Sequence, residues 1–455
     1  MRLVDLLEPL QARLIGSDVE FQTLSTDSRQ LRRGELFVAL RGENFDGHEF
    51  ASVAADRGAC AMVVEREIDT VNVPQLVVGD TVHALGTIAA LHRKKFAGKI
   101  VAVTGSSGKT SVKGLLREIF AAAGTVVATQ GNFNNHIGVP LSLMNLADQD
   151  YAVIEIGTNH PGEIANLVGL VQPDVALVNN VSAAHIAGFG SLDAIAEEKG
   201  SIYSTLNEYG TAIINLDDTF AAQFIQATAH AKQIGFSLKG VTADFPVVRA
   251  DNIVFDSAGR ASFNLLYQEQ SVAAHLLLPG LHNLANALAA AACALAAGVG
   301  LADIASGLKN FAGDKGRMQI YTGPQNCVVI DDTYNANPGS VRAAIDYLGE
   351  RSGKRILVLG DLAELGEAAQ QEHRNLGTYA AQKKITALLS CGPLSALASA
   401  TFGAGGTNFS NKAALVGALL PQLDAQSVLL IKGSRSARME EVVQRVLDAK
   451  EISAC

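Results

Sequence analysis

The chain has 455 residues, 48% of them hydrophobic and 18% charged, with a formal net charge of −9. That balance excludes a disordered chain, and the acidic sign argues against a nucleic-acid or anionic-membrane surface. The length exceeds one ordinary core, so two or three domains are expected.

The first eight residues, Met1-Arg-Leu-Val-Asp-Leu-Leu-Glu8, carry acids within an apolar pattern and read as an amphipathic segment, not a signal peptide. The five cysteines (Cys60, Cys293, Cys327, Cys391, Cys455) show no zinc spacing and read as reduced thiols, so the cytoplasm is the expected compartment. Strands are expected at residues 36–40, 61–64 and 75–78, alternating with helical patterns. A basic joint at 92–99 precedes a β-branched run at 100–104, a Gly-rich turn and an apolar helical pattern at 112–120. Further strands at 126–128, 151–156, 175–179 and 211–215, with helices between them, predict a doubly wound, mostly parallel α/β sheet. The alternation from 233 to 278 predicts an antiparallel extension. The Ala- and Gly-rich run at 287–302 is too short to span a membrane and suits a helix packed closely on a sheet. Residues 313–317, Gly-Asp-Lys-Gly-Arg, read as a hinge. Strands at 327–331, 356–360, 387–390 and 428–432 then predict a second, Rossmann-like α/β set. The expectation is an α/β protein of three domains: a smaller one at 1–97, a central one at 98–314 and a last one at 315–455.

The sharpest local signal is Thr104-Gly-Ser-Ser-Gly-Lys-Thr-Ser111 between a strand and a helix. Gly105 and Gly108 let backbone N–H groups of Ser106, Ser107 and their neighbours wrap an anion at a helix N-terminus. Lys109 then reaches terminal phosphates and the Thr110 hydroxyl can ligate Mg²⁺, which predicts a nucleoside triphosphate. The usual first glycine of such a loop is missing, since position 103 is Val.

Other polar groups allow two readings each. Glu155 ends a strand and either ligates a metal or faces solvent. His185 follows the strand at 175–179 and either meets a ligand or is solvated. Lys199, on a helical pattern, reads from periodicity alone as a solvated lysine. Asn132, Asn134 and Asn135, beside His136, suit either a polar ligand or plain turns. Asp331 and Asp332 end a strand, where a carboxylate holds a ribose or caps a helix.

Taken in order, these motifs resemble the Mur ligases, ATP-dependent amide-forming enzymes of peptidoglycan precursor synthesis. The resemblance covers nearly the whole chain and accounts for Val103, because the family's phosphate loop is shortened. It rests on residues 104–110, Gly131-Asn-Phe-Asn-Asn135, the Glu155 strand, His185, Lys199-Gly200, Leu278-Pro-Gly-Leu-His-Asn-Leu-Ala-Asn286, Gly316-Arg317 and Asp332. It implies ATP contacts from the 104–111 loop, an adenine-side segment with His282, Asn283 and Asn286, a ribose contact from Asp332, and a catalytic set of Lys109, His185, Lys199 and Arg317. It implies two Mg²⁺ ions, held by Thr110 and Glu155 and by His185 and a carbamylated Lys199. Arg317, at the hinge, is expected to reach the phosphates only when the last domain closes.

The segments Ser25-Thr-Asp-Ser-Arg29, Phe45-Asp-Gly-His-Glu-Phe50, Ile330-Asp-Asp-Thr-Tyr-Asn-Ala-Asn337, Leu359-Gly-Asp-Leu-Ala-Glu-Leu-Gly366 and Lys432-Gly-Ser-Arg-Ser436 look like those of the family's last cytoplasmic ligase. That similarity implies D-alanyl-D-alanine and a UDP-N-acetylmuramoyl-tripeptide as substrates. Ser25, Thr26, Asp27, Ser28, Arg29, Asp46, Gly47 and His48 would hold the UDP end. The dense amides Asn132, Asn134 and Asn135, with His136, Asn335 and Asn337, are further substrate candidates. A monomer without nucleic-acid partner or membrane span is expected. A third-residue-adding Mur ligase or a folylpolyglutamate synthase is the alternative, although the Asp-Asn-Pro-Arg segment of the former is absent. A GTPase would want a base-reading Asn/Thr-Lys-x-Asp, and Asn411-Lys-Ala-Ala414 lacks the acid.

Overall fold

The strand Lys99–Thr104 lies inside the largest sheet, paired in parallel with Tyr151–Glu155 on one side and Val175–Val178 on the other. A strand covered on both faces reads as a continuous apolar run, as Ile100 to Val103 do. The computed structural model describes residues 1–42, 45–183 and 186–452. Among the described residues this sheet has nine strands. From Lys99–Thr104 it runs one way through Tyr151–Glu155 to the edge strand Val126–Ala128. The other way it runs through Val175–Val178, Thr211–Asn215 and Lys232–Ser237, all parallel. The chain therefore reverses its direction of winding at Lys99–Thr104, and such a switch point opens a crevice at the carboxyl ends of the strands.

The β-rich extension divides differently from the sequence expectation. Lys232–Ser237 is still parallel, and only Val247–Phe255, Arg260–Tyr267 and Gln270–Pro279 form the antiparallel meander. One face of the sheet is covered by helices Lys109–Ala123, Leu281–Ala296 and Leu301–Leu308. Their approach is close because small residues line it: a Cβ on Gly307 would strike the Ile119 backbone, and one on Gly114 the Phe311 ring. Ala287 and Ala289 to Ala292 are fully buried there.

The opposite face shares a core with the five-stranded first sheet and helix Thr81–Arg93. The basic joint is no free linker. Arg93 donates to the Val171 and Gln172 carbonyls at 2.8 and 2.9 Å, and a His92 ring nitrogen lies 2.7 Å from the Leu146 carbonyl oxygen. The third sheet is ordered Gln319–Thr322, Val328–Asp332, Ser427–Lys432, Lys354–Gly360, Ala387–Cys391, Gly406–Phe409, parallel except for its first pair. The sequence reading missed two short strands of the first sheet, Arg13–Ile15 and Leu24–Ser25, and both edge strands of the third. Edge strands carry weak alternation because they bury little.

Candidate active site

The loop after Lys99–Thr104 is held open by its neighbours. Gly105 has φ +153° and Gly108 has φ +79°, and a Cβ on Gly108 would run into the Asn179 and Asn286 amides. Asn179 and Asn180, at the end of the adjacent strand, stitch the loop down. Asn180 Oδ1 accepts from the Ser107 N–H at 2.9 Å, and both amides donate to the Ser107 carbonyl at 3.0 and 3.1 Å. Ser106 Oγ donates to the Ser182 carbonyl at 3.0 Å. No side chain caps the N-terminus of helix Lys109–Ala123, so its first-turn N–H groups and positive dipole end are directed at the crevice.

Lys109 curls back, and its ammonium donates to the Gly105 carbonyl at 2.6 Å. Burial pulls its pKa below the ordinary value, Glu155 opposes that, and Arg317 adds to it. Glu155 is 2% exposed and stands across from the loop. Its Oε1 accepts from Asn134 Nδ2 at 2.9 Å and from the Thr110 hydroxyl at 3.5 Å. Its Oε2 accepts no hydrogen bond, although the Lys113 ammonium lies 3.1 Å away. Burial pushes this carboxyl up, but Lys113, Lys109, Asn134 and Arg317 outweigh burial and hold it below its ordinary value, so it is ionised. The solvent-facing alternative for Glu155 therefore fails.

Arg317 departs from expectation. It is already at the loop: Nη2 donates to the Thr110 hydroxyl at 2.9 Å, and its guanidinium stacks 4.3 Å over the Tyr334 ring. Gly316, at φ +73°, turns the chain here, and its carbonyl accepts from the Tyr334 N–H at 3.0 Å, which ties the turn before Arg317 to the end of strand Val328–Asp332. Asn337 adds a second bridge, Nδ2 to the Ser106 carbonyl at 3.1 Å.

Lys199 is 2% exposed, so the solvated-lysine alternative also fails. Helix Leu192–Gly200 turns Ile195, Ala196, Glu198 and Lys199 inward. Glu198 is occupied elsewhere, accepting from the Gly162 and Ile164 N–H groups and the Thr158 hydroxyl. Burial, aided by the Lys109 charge, draws the Lys199 ammonium down to about 7. His185 lies outside the described residues. Among the described residues no group of three or more His, Cys, Asp or Glu is placed to hold a metal.

A cleft of about 560 Å³ joins these groups to the third sheet. Residues 106–111, Glu155 and Arg317 line one end. Asn132, Asn134, Asn135 and His136 line a second wall, and His282, Asn283 and Asn286 a third. Asp332, which ends strand Val328–Asp332, Asn335 in the loop after it and Asn337, the N-cap of helix Pro338–Gly349, also line it. Thr104, Gly105 and Lys199 are not among the lining residues, although the Lys109 charge acts on Lys199. Asn283 and Asn286 are buried, and their amides bond to one another, to Asn179 and to the Pro279 carbonyl, forming the floor under the loop. Burial pushes the His282 ring below its ordinary pKa; Asp332 draws it up and Lys432 down, leaving it neutral. Asp331 is not the cleft carboxylate: it accepts from the Thr333 N–H and hydroxyl at 3.1 and 2.6 Å.

Residues 25–29 and 46–48 are not brought into this cleft. Arg29 is paired with Asp27 at 2.9 Å. His48 is buried, with one ring nitrogen 2.5 Å from Asp46 and the other accepting from the Glu65 N–H at 2.8 Å, so it buttresses the Asp46 turn. Asn179, Asn180, Lys113 and Lys432 belong to the site and were missed. The first two were visible as a tandem amide after a central strand. Lys113 was visible only as a second lysine four residues after Lys109, on the same helix face.

Comparison with known proteins agrees with this geometry. Residues 20–93 match the Mur ligase family catalytic domain, 103–294 the Mur ligase middle domain and 316–435 the Mur ligase glutamate ligase domain. UDP-N-acetylmuramoyl-tripeptide--D-alanyl-D-alanine ligase of Escherichia coli is 44% identical, with 97% of each chain covered. A crystal structure of MurF from Acinetobacter baumannii superposes with a TM-score of 0.90 at 35% identity, covering 98% of both chains. MurF of Thermotoga maritima, solved in complex with ADP, superposes with a TM-score of 0.83 at 26% identity, covering 95% of this chain and 98% of that one.

Proposed function

Because this chain belongs to the Mur ligase family, we propose that it joins D-alanyl-D-alanine to a UDP-N-acetylmuramoyl-tripeptide at the cost of ATP, forming ADP and phosphate. The observation that carries this is one cleft holding an uncapped phosphate loop, an ionised buried carboxylate and an arginine from the last domain, in a chain similar over its full length to ligases of that name.

The tripeptide's terminal carboxylate is a poor electrophile for an amine near neutral pH. Its oxygen attacks the γ-phosphorus of ATP, the bond to the β-phosphate oxygen breaks, and ADP departs. The dipeptide's neutral amine then attacks the acyl carbon, phosphate leaves, and the ammonium proton passes to solvent. The loop N–H groups and Lys109 bind the phosphates, and Arg317 faces the charge that builds on the transferred group. Asn179, Asn180 and Asn286 keep the loop's geometry without reorganisation. His282 and the floor beneath it would take the adenine side, and Asp332 the ribose.

The buried donors fit Mg²⁺. Thr110 and Glu155 would hold one ion, and Glu155 Oε2 is a buried carboxylate oxygen that accepts no hydrogen bond. His185 and a carbamylated Lys199 would hold a second. Among the described residues Lys199 has no paired acid, and carbamylation needs the neutral amine that its low pKa supports. Mg²⁺ supplies charge neutralisation at the phosphates.

The division of labour we propose is the UDP end on residues 1–97, through 25–29 and 46–48, nucleotide on 98–314, and the dipeptide on 315–455 with Asn335 and Asn337. Asn132, Asn134, Asn135 and His136 would contact the tripeptide side. Among the described residues no helix is long and apolar enough to cross a membrane, and we infer a cytoplasmic monomer acting on small molecules. The deciding assay measures ADP release with UDP-muramoyl-tripeptide, with and without D-alanyl-D-alanine. Release that ignores the dipeptide, or that requires a single amino acid and the dipeptide-bearing UDP precursor instead, would overturn the assignment.

A further inference from the structure

Asp332 and Lys432 end two neighbouring parallel strands, Val328–Asp332 and Ser427–Lys432, and stand opposite one another in register. Lys432 Nζ lies 2.6 Å from Asp332 Oδ2 and also donates to the Asn335 carbonyl at 3.1 Å. The lysine side chain is 3% exposed and the aspartate 14%. Both line the cleft that contains the phosphate loop.

An ammonium is costly to bury, and an ion pair at this depth gains the fold little over an apolar pair. Its place is informative, because carboxyl ends of parallel strands are where such sheets meet ligands. The ammonium engages Oδ2, and among the described residues no hydrogen bond reaches Oδ1. The pair therefore presents one carboxylate oxygen to the cleft in a fixed orientation. Asn335 ties in the rest of the 432–436 segment, since its Oδ1 accepts from the Arg435 N–H at 3.3 Å. A compact ammonium with three donors suits this bridge between a carboxylate and a carbonyl better than a planar guanidinium does.

We propose that Lys432 is a positioning residue for nucleotide recognition: it locks the Asp332 carboxylate so that Oδ1 accepts from a ribose hydroxyl. This rests on the reading of Asp332 as the ribose carboxylate. Without Lys432 the carboxylate turns freely, and the hydroxyl contact must order it on binding.

The test is equilibrium binding of ADP, 2′-deoxy-ADP and 3′-deoxy-ADP to the full chain, as wild type, Asp332→Asn, Lys432→Met and Lys432→Arg. A hydrogen bond to a charged group predicts that the wild type binds ADP at least about tenfold tighter than one of the deoxy analogues. That ratio should collapse toward one in Asp332→Asn and in Lys432→Met, and recover in part in Lys432→Arg. A merely structural lysine would weaken all three nucleotides together and leave the ratio intact. If Asp332→Asn loses the discrimination and folded Lys432→Met keeps it, the positioning role is overturned and the ribose reading stands. If Asp332→Asn keeps the discrimination, the ribose reading falls and the proposal with it. Should Lys432→Met not fold, Lys432→Gln, which also removes the charge, takes its place, and an unchanged ratio there overturns the role.

Discussion

Arg317 Nη2 donates to the Thr110 hydroxyl across 2.9 Å, although 207 residues separate them. The first residues of the last domain thereby reach the proposed phosphate loop of the central one. The same hydroxyl donates to Glu155, so a guanidinium and a carboxylate already converge where metal and phosphate are proposed to bind.

Arg317→Ala should lower the ligation rate at saturating substrates by about a hundredfold or more, with a smaller change in nucleotide affinity, because its charge acts on the transferred phosphoryl group. Arg317→Lys should recover little, since an ammonium cannot reproduce both the fork and the Tyr334 stack. Steady-state ADP release with all three substrates gives the answer, and a rate within about threefold of wild type for the alanine variant would remove Arg317 from the reacting centre.

Lys109→Ala should abolish ligation while the chain stays folded. The ammonium's bond is to the Gly105 carbonyl within its own loop, so the fold loses little. Transition-state stabilisation of this kind is commonly about 3 kcal/mol or more. Ligation within about tenfold of wild type, in a variant with an unchanged thermal melt, would contradict the assignment.

Lys113→Met should destabilise the protein by about 3 kcal/mol, because it leaves the Glu155 carboxylate buried without its nearest cation. The double variant Lys113→Met with Glu155→Gln should be more stable than Lys113→Met alone. Urea titrations of the four proteins close the cycle, and additive single effects would mean that the pair does not interact.

Lys199 is expected to make stability depend on pH. Its ammonium is held near 7 in the fold against an ordinary 10.5. Between those values the unfolded chain binds a proton that the folded chain lacks, so stability rises with pH relative to Lys199→Met, by at most about 1.4 kcal/mol per pH unit. Below pH 7 both states are protonated and the difference is flat. Melts in bicarbonate-free buffer from pH 6 to 9 test this, and a constant gap above pH 7 would refute it. Lys199→Ala should lose activity by orders of magnitude, with partial return on adding acetate; near-normal turnover would return the residue to a structural role.

Asn286→Ala should weaken nucleotide binding by roughly tenfold and cost about 1–2 kcal/mol, since it removes one of the two acceptors of the buried Asn179 amide and the donor to Asn283 Oδ1. Isothermal titration with ADP, alongside a denaturant curve, reads both effects. Unchanged affinity would show that the loop keeps its shape without this floor.

The central strands, the doubly wound pattern and the phosphate loop are legible along the chain, because these follow from local rules. A strand buried on both faces must be apolar throughout, and a loop that wraps an anion must place glycines where φ is positive. The chain also carried the ordered motifs that led to the family. The pairings between distant segments follow from the folded packing instead. Periodicity put Lys199 on a solvated face, yet the packing of helix Leu192–Gly200 buries it. Asp332 and Lys432 meet because register brings two strand ends together, whereas Lys113 and Glu155, and Asn179 and Asn286, meet because helices Lys109–Ala123 and Leu281–Ala296 pack beside the ends of their strands. No spacing along the chain encodes those distances: they are set by which strand lies beside which, and that depends on burying both faces of the sheets at once.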